Sequence, residues 1–169
     1  MTARFHTRRD RGLEITLSPA EVELLRSLPE ELRALYESPR GTDAAHARLF
    51  PPAYFDPVER EAEQEWQAAI HPELLRQRLE ALDALTRTLD GVEERRGRMK
   101  VILTAEQVDA WLAVLNDARL TLGVRLNITE DFEPVALDPA NEEAAAYAAY
   151  AWLTYLEDEM VQALIGETF

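Results

Sequence analysis

The sequence predicts a mainly α protein, a helical bundle that carries a small antiparallel β-sheet. Apolar residues recur at helical spacing along most of the chain, as in Val22, Leu25, Leu28, Leu32 and Leu35. Strict alternation, the mark of a half-buried strand, is clearest at Leu13-Glu14-Ile15-Thr16-Leu17, and a second strand pattern lies near 99–103. Each is followed by a hydroxyl residue and then Glu or Gln: Ser18 with Glu21, Thr104 with Gln107. That pairing is the capping box that opens a helix. A chain of 169 residues buries a core without staples and fits one domain, 1–169.

In chain order, a short strand from Arg4 to Thr7 turns through Arg8-Arg9-Asp10-Arg11-Gly12 into Leu13–Leu17, and this hairpin is expected to pair with 99–103. Ser18 caps the next helix and Pro19 suits its first position; Pro29 kinks or divides it, and Ser38-Pro39-Arg40-Gly41 ends it. A loop with one helical turn leads to Leu49-Phe50-Pro51-Pro52-Ala53-Tyr54. Asp56-Pro57 then opens a helix with Glu59, Glu61, Glu63 and Glu65 on its early exposed turns. It is expected to break near His71-Pro72, because proline pushes the preceding residue out of helical geometry. A second segment carries Leu75, Leu79, Leu82, Leu85 and Leu89, until Gly91 closes it in a left-handed conformation. The strand-to-helix pattern then recurs once, at 99–108, too little for a solenoid.

Residues 111–131 read as a helix that is apolar almost all round, with Asn116, Asp117 and Arg119 in its middle. Buried polar groups left unpaired cost a few kcal/mol, about 1–3 each by mutational data, so these three require definite partners. The favoured expectation is structural: Asn116 and Asp117 tie the Pro51-Pro52 loop to the helix. The alternative is a small-ligand binder or enzyme with a pocket formed by Asn116, Asp117 and Arg119 beside Pro51, Pro52 and Tyr54.

The last helix is expected to begin near Asp138-Pro139. Ala149, Trp152, Leu153, Leu156, Met160, Ala163 and Leu164 form one stripe, with Tyr147, Tyr150, Ala151 and Tyr155 on a second face. This surplus of aromatic surface suggests a central, surrounded helix or an interface, and centrality is favoured. A homodimer through the Tyr150 face is the corresponding interface expectation. The run Ala144-Ala145-Ala146 permits close approach to Gly123 on the preceding helix.

Net charge is −14, with basic residues concentrated at Arg4, Arg8, Arg9 and Arg11 and at Arg95, Arg96, Arg98 and Lys100. Pairing the strands is expected to bring the two windows together, as charge balance or as a contact for an acidic partner, with charge balance favoured. The acidic remainder disfavours direct nucleic-acid binding and suits a partner with a basic surface. The N-terminal segment lacks an apolar core of signal-peptide type, and the run Ala144–Leu156 is too short to span a bilayer, so a soluble cytoplasmic protein without membrane association is expected.

Reaction chemistry is sparse. Zero cysteines exclude a disulfide, a thiolate metal site, a cysteine nucleophile and a thiol switch in this chain. Serine occurs at Ser18, Ser27 and Ser38, none in a Gly-x-Ser-x-Gly elbow, and the glycines form no phosphate-binding loop. His6, His46 and His71 stand far apart in sequence and outside any Glu-x-x-His element, so no metal site or cofactor is expected. The carboxylate runs Glu130-Asp131 and Glu157-Asp158-Glu159 read as solvated faces.

The Leu49–Tyr54 segment, the 111–126 helix with Thr129-Glu130-Asp131, and Tyr150-Ala151-Trp152-Leu153 together resemble an uncharacterised bacterial family common in actinobacteria. The resemblance covers nearly the whole chain. Genes of that family often lie beside the gene of the ClpS protease adaptor, and one branch is described as an oxidative-stress transcriptional regulator. The resemblance therefore implies a non-enzymatic, cytoplasmic regulator that acts through contacts with protein partners in the transcription or proteolysis machinery. Lacking cysteine, this member departs from any redox sensing by thiols.

Overall fold

Two reciprocal caps organise the molecule. Ser18 Oγ accepts the Glu21 amide at 3.2 Å while the Glu21 carboxylate accepts the Ser18 amide at 2.7 Å. Thr104 and Gln107 repeat the arrangement at 3.2 and 2.9 Å. Each cap satisfies amides that a helix N-terminus leaves orphaned and is worth about 1 kcal/mol. The structure, a computed structural model, describes residues 3–129, 140 and 143–166.

The strands are β1 (Arg4–Thr7), β2 (Leu13–Leu17), β3 (Glu93–Arg95) and β4 (Arg98–Leu103), antiparallel in the order β1-β2-β4-β3. The expected hairpin pairs with 99–103 as predicted. Strand β3 was not expected: its three residues, Glu93-Glu94-Arg95, are all exposed and carry no apolar alternation. The two-residue loop Arg96-Gly97 has positive φ at both positions, 52° and 75°, which matches the twist of a tight hairpin.

The register corrects one expectation about charge. Leu13 faces Leu103 and Leu17 faces Met99, so the turn bearing Arg8, Arg9 and Arg11 lies at one end of the sheet. The turn bearing Arg95, Arg96 and Arg98 lies at the other. Antiparallel pairing therefore separates the two arginine turns, whereas Arg4 and Lys100 share a row across Thr16, and Lys100 pairs with Glu14 at 2.8 Å on the outer face. The inner face presents Leu13, Ile15, Leu17, Val101 and Leu103, all buried.

The helices are α1 (Pro19–Tyr36), α2 (Ala44–Leu49), α3 (Arg60–Asp90), α4 (Ala105–Arg125) and α5 (Ala144–Ile165), with a single 3-10 turn, Pro57–Glu59, before α3. Val22, Leu25, Leu28, Leu32 and Leu35 are buried as the stripe predicted. Pro29 does not divide α1. Nor does α3 break at His71-Pro72: it runs unbroken for 31 residues. Proline deprives the Ala68 carbonyl of its amide, but Ala68 is an exposed residue, and Leu82, Leu85 and Leu89 anchor the later turns in the core. Gly91 ends α3 at φ −90°, so the left-handed closure expected there is absent.

Helix α4 is the central element, packed against α2, α3 and α5 and touching α1 and β4. It ends at Arg125, earlier than the 111–131 span implied. Asn127 takes φ 53°, with its amide bonded to the Val124 carbonyl and the Ile128 amide to the Gly123 carbonyl. That is a Schellman stop, closed by asparagine in the place usually held by glycine. Glu130-Asp131 and the expected helix start at Asp138-Pro139 lie outside the described residues.

Helix α5 is not the surrounded one. It packs on α4 and β1, burying Leu153, Leu156 and Met160, while Ala151, Val161 and Ile165 stay exposed. Among the described residues no helix is long and apolar enough to cross a membrane.

Candidate functional site

Asp117 is buried at the middle of α4 and collects partners from two other helices. The Tyr36 hydroxyl, from the last residue of α1, donates to its Oδ2 at 2.6 Å. An Arg78 amino group, from α3, donates to the same oxygen, and the other Arg78 amino group donates to the Leu49 carbonyl at 2.8 Å. The guanidinium also lies over the Phe50 ring, 4.8 Å from its centre, a cation–π contact. Burial, then the neighbouring carboxylate, pushes the Tyr36 phenol well above its ordinary range, so it stays a donor. One carboxylate thus joins α1, α3, α4 and the start of the Leu49–Tyr54 segment.

Beside this network lie two histidines that sequence places far apart. The rings of His46 and His71 are 6.3 Å apart, each against Phe50 at 4.8 and 4.9 Å. His46 is only 2% exposed. Burial first, then His71, holds its imidazole below the usual range, which favours the neutral form. No group of three or more metal-ligating side chains occurs among the described residues.

The candidate polar groups of α4 do not converge. Asn116 faces α5 with Arg119: its Oδ1 accepts from Arg119 at 3.2 Å, and Arg119 meets Glu157 at 3.2 Å. Burial keeps the Glu157 carboxyl above its usual range, the Arg119 charge pulling the other way. Asp117 points toward α1 and α3 instead, since consecutive helical residues diverge by about 100°. A pocket built from Asn116, Asp117 and Arg119 together is therefore not formed. The link from α4 to the proline loop runs from Asp117 through Arg78, and Asn116 takes no part in it. No spacing rule marks Arg78, whose role depends on the packing of α3 against α4.

The remaining candidates fall on two further surfaces. Gly123 faces Tyr150, whose ring lies 3.6 Å from where a Cβ would stand, so this aromatic is spent partly inside the chain. Trp152 Nε1 donates to Glu21 at 3.1 Å, latching α5 to the cap of α1. Pro51 is exposed, Pro52 half-buried and Tyr54 exposed, and they lead into the least covered large hydrophobic residues described, Phe55 at 80% and Val58 at 90% exposure. The loop is nevertheless fixed. Glu63 Oε2 accepts the Ala53 and Tyr54 amides at 3.0 and 2.9 Å, and its Oε1 accepts from Gln67 at 2.7 Å. Asp56 Oδ1 accepts the Val58 amide at 3.0 Å. The Gln67 bond, followed by the two backbone amides, holds the Glu63 carboxyl below its ordinary range, so it remains an acceptor.

Residues 1–164 match the model of a domain of unknown function, DUF2017. The chain belongs to the DUF2017 family. It is 30% identical to the oxidative stress regulator AosR of Mycobacterium bovis, over 96% of this chain and 87% of that protein. The same values hold for the oxidative stress regulator AosR of Mycobacterium tuberculosis. No solved structure matches. Within this DUF2017 chain, the segments that carried the family resemblance supply Asp117 and Leu49 to the buried network and Gly123 and Tyr150 to the α4–α5 contact.

Proposed function

We propose that the chain is a non-enzymatic, cytoplasmic regulatory protein of oxidative-stress control that works through protein–protein contacts, with Tyr54, Phe55 and Val58 as its docking element. The observation that carries this reading is the pairing of exposure with rigidity in one loop. Phe55 and Val58 are exposed, while Glu63 holds the Ala53 and Tyr54 amides just ahead of Phe55 and Asp56 holds the Val58 amide. Apolar side chains on a preorganised loop bury area on contact and pay little ordering entropy, which is how aromatic anchors act at interfaces. The names of the relatives supply the regulatory context.

Asp56, Glu59 and Glu61 adjoin Phe55 and Val58 in sequence, which favours a partner, in the transcription or proteolysis machinery, that presents an apolar pocket with a basic rim. With no cysteine here, sensing by a thiol falls to another molecule, whose state this chain relays. The test is photo-crosslinking in cells from a benzophenone amino acid at position 55, against the same probe at exposed Glu94 on β3. Adducts specific to position 55 and lost on Val58→Asp support the reading. No adducts, or identical adducts from both positions, reject it.

A further inference from the structure

Between α1, α4 and α5 lies a cleft of about 270 Å³ that neither the Asp117 network nor the Phe55 loop uses. The alanine run explains why it is open. Ala145, Ala146 and Ala149 face Leu24, Leu28 and Leu32 across it, and the short side chains of α5 do not reach α1. Close-packed interiors leave few voids of this size, and larger residues on α5 would fill it. At about 30 Å³ for each water-sized group, the space takes a molecule of about nine non-hydrogen atoms.

The polar groups of the cleft are few and opposed in charge. Thr121, in its α4 wall, is 4% exposed, and its hydroxyl has no hydrogen-bond partner among the described residues. Arg125 follows one turn later on the same face of α4, at the mouth, and is held only loosely by Asp43 at 3.7 Å. Glu31 of α1 lines the opposite wall and is exposed. Mostly apolar walls with a few placed polar groups are the general form of a small-molecule site. A cationic and an anionic side chain at one opening suit a ligand that carries both charges.

We infer that this cleft binds a free amino acid with an apolar side chain, its carboxylate on Arg125, its ammonium on Glu31 and its side chain among Leu28, Leu122 and Leu153. This is independent of the docking role of Phe55. The full chain is titrated by calorimetry with L-leucine, L-isoleucine and L-methionine, and with 4-methylpentanoate and 3-methylbutylamine, which each lack one charge. Saturable binding of at least one amino acid is expected, weakened tenfold or more for the analogues lacking a charge and in Arg125→Gln. Ala149→Phe fills the cleft and abolishes binding, and circular dichroism confirms that it folds; should it not fold, Ala146→Leu takes its place. No saturable binding by any of the three amino acids overturns the inference, as does binding unchanged in Arg125→Gln or in the folded filled variant. Equal affinity for the acid or the amine overturns the zwitterion assignment.

Discussion

The Tyr36 hydroxyl lies 2.6 Å from the Asp117 carboxylate, joining the end of α1 to the middle of α4 across 81 residues of sequence. With Arg78 on the same carboxylate oxygen, it forms a buried polar hub. Removing Asp117 strands a guanidinium and a phenol, whereas removing the phenol strands nothing charged. Asp117→Ala is expected to cost about 3 kcal/mol, the low end for a broken buried pair because Arg78 reaches solvent at one edge. Tyr36→Phe is expected to cost about 1.5 kcal/mol, as for one hydrogen bond to a charged group. Urea denaturation of the two variants checks the order, and Asp117→Ala as the milder change contradicts the assignment.

Acid acts first at His46. Its folded-state pKa lies below the unfolded value of about 6.5, so the unfolded chain binds more protons in that window. The stabilisation from the neutral imidazole is complete above about pH 6.5 and is lost as pH falls toward the folded pKa. His46→Gln, which does not titrate, is expected to flatten the fall in melting temperature between about pH 6.5 and 5. A slope equal to that of the wild type in that range contradicts the reading.

Gly12 is required for space. A Cβ there would stand 2.2 Å from the Leu103 carbonyl oxygen, inside the hairpin's contact with β4. The obstacle is backbone, which cannot rotate aside, so Gly12→Ala is expected to destabilise by about 2 kcal/mol, within the range for overpacking. Gly97→Ala meets nothing, and its cost is the strain of φ 75° alone, about 1 kcal/mol. Thermal melts of the pair report both.

Glu63 fixes the docking loop without holding the core. Glu63→Ala is expected to speed hydrogen exchange at the Ala53 and Tyr54 amides while exchange at Leu115 in α4 stays slow. Unchanged protection at residues 53 and 54 would remove Glu63 from its assigned role.

What the sequence made legible was local. Ser18 with Glu21 and Thr104 with Gln107 are read within one helical turn, and the burial of Leu13, Ile15 and Leu17 follows from alternation. Pro72 misleads because its local preference is overridden by tertiary packing of the later turns, at a point where the helix is exposed around Ala68. Gly91 misled because a glycine permits a left-handed turn without requiring one; Asn127 took that role on the next long helix. The two charge windows are legible as segments, but their placement is not: antiparallel register sends the two arginine turns to opposite ends and brings only Arg4 and Lys100 into one row, across Thr16.

The site divided in the same way. Asp117 was identifiable as a buried charge in an apolar helix, but its partners Tyr36 and Arg78 sit on other helices and carry no spacing signal. The approach of His46 to His71 arises only once α2 and α3 both pack against α4. Phe55 and Val58 were not singled out because exposure is invisible in a sequence where both residues would serve equally well in a core.

The central claim, regulation through contacts made by the Tyr54–Val58 loop, is tested most directly by transcript levels after peroxide challenge. A strain lacking the gene is complemented with the wild type or with the Phe55→Asp/Val58→Asp double variant. Both side chains are exposed, so the variant is expected to fold and accumulate normally yet leave the peroxide-induced transcript change unrestored. A full wild-type response from the double variant at equal protein level would contradict the account.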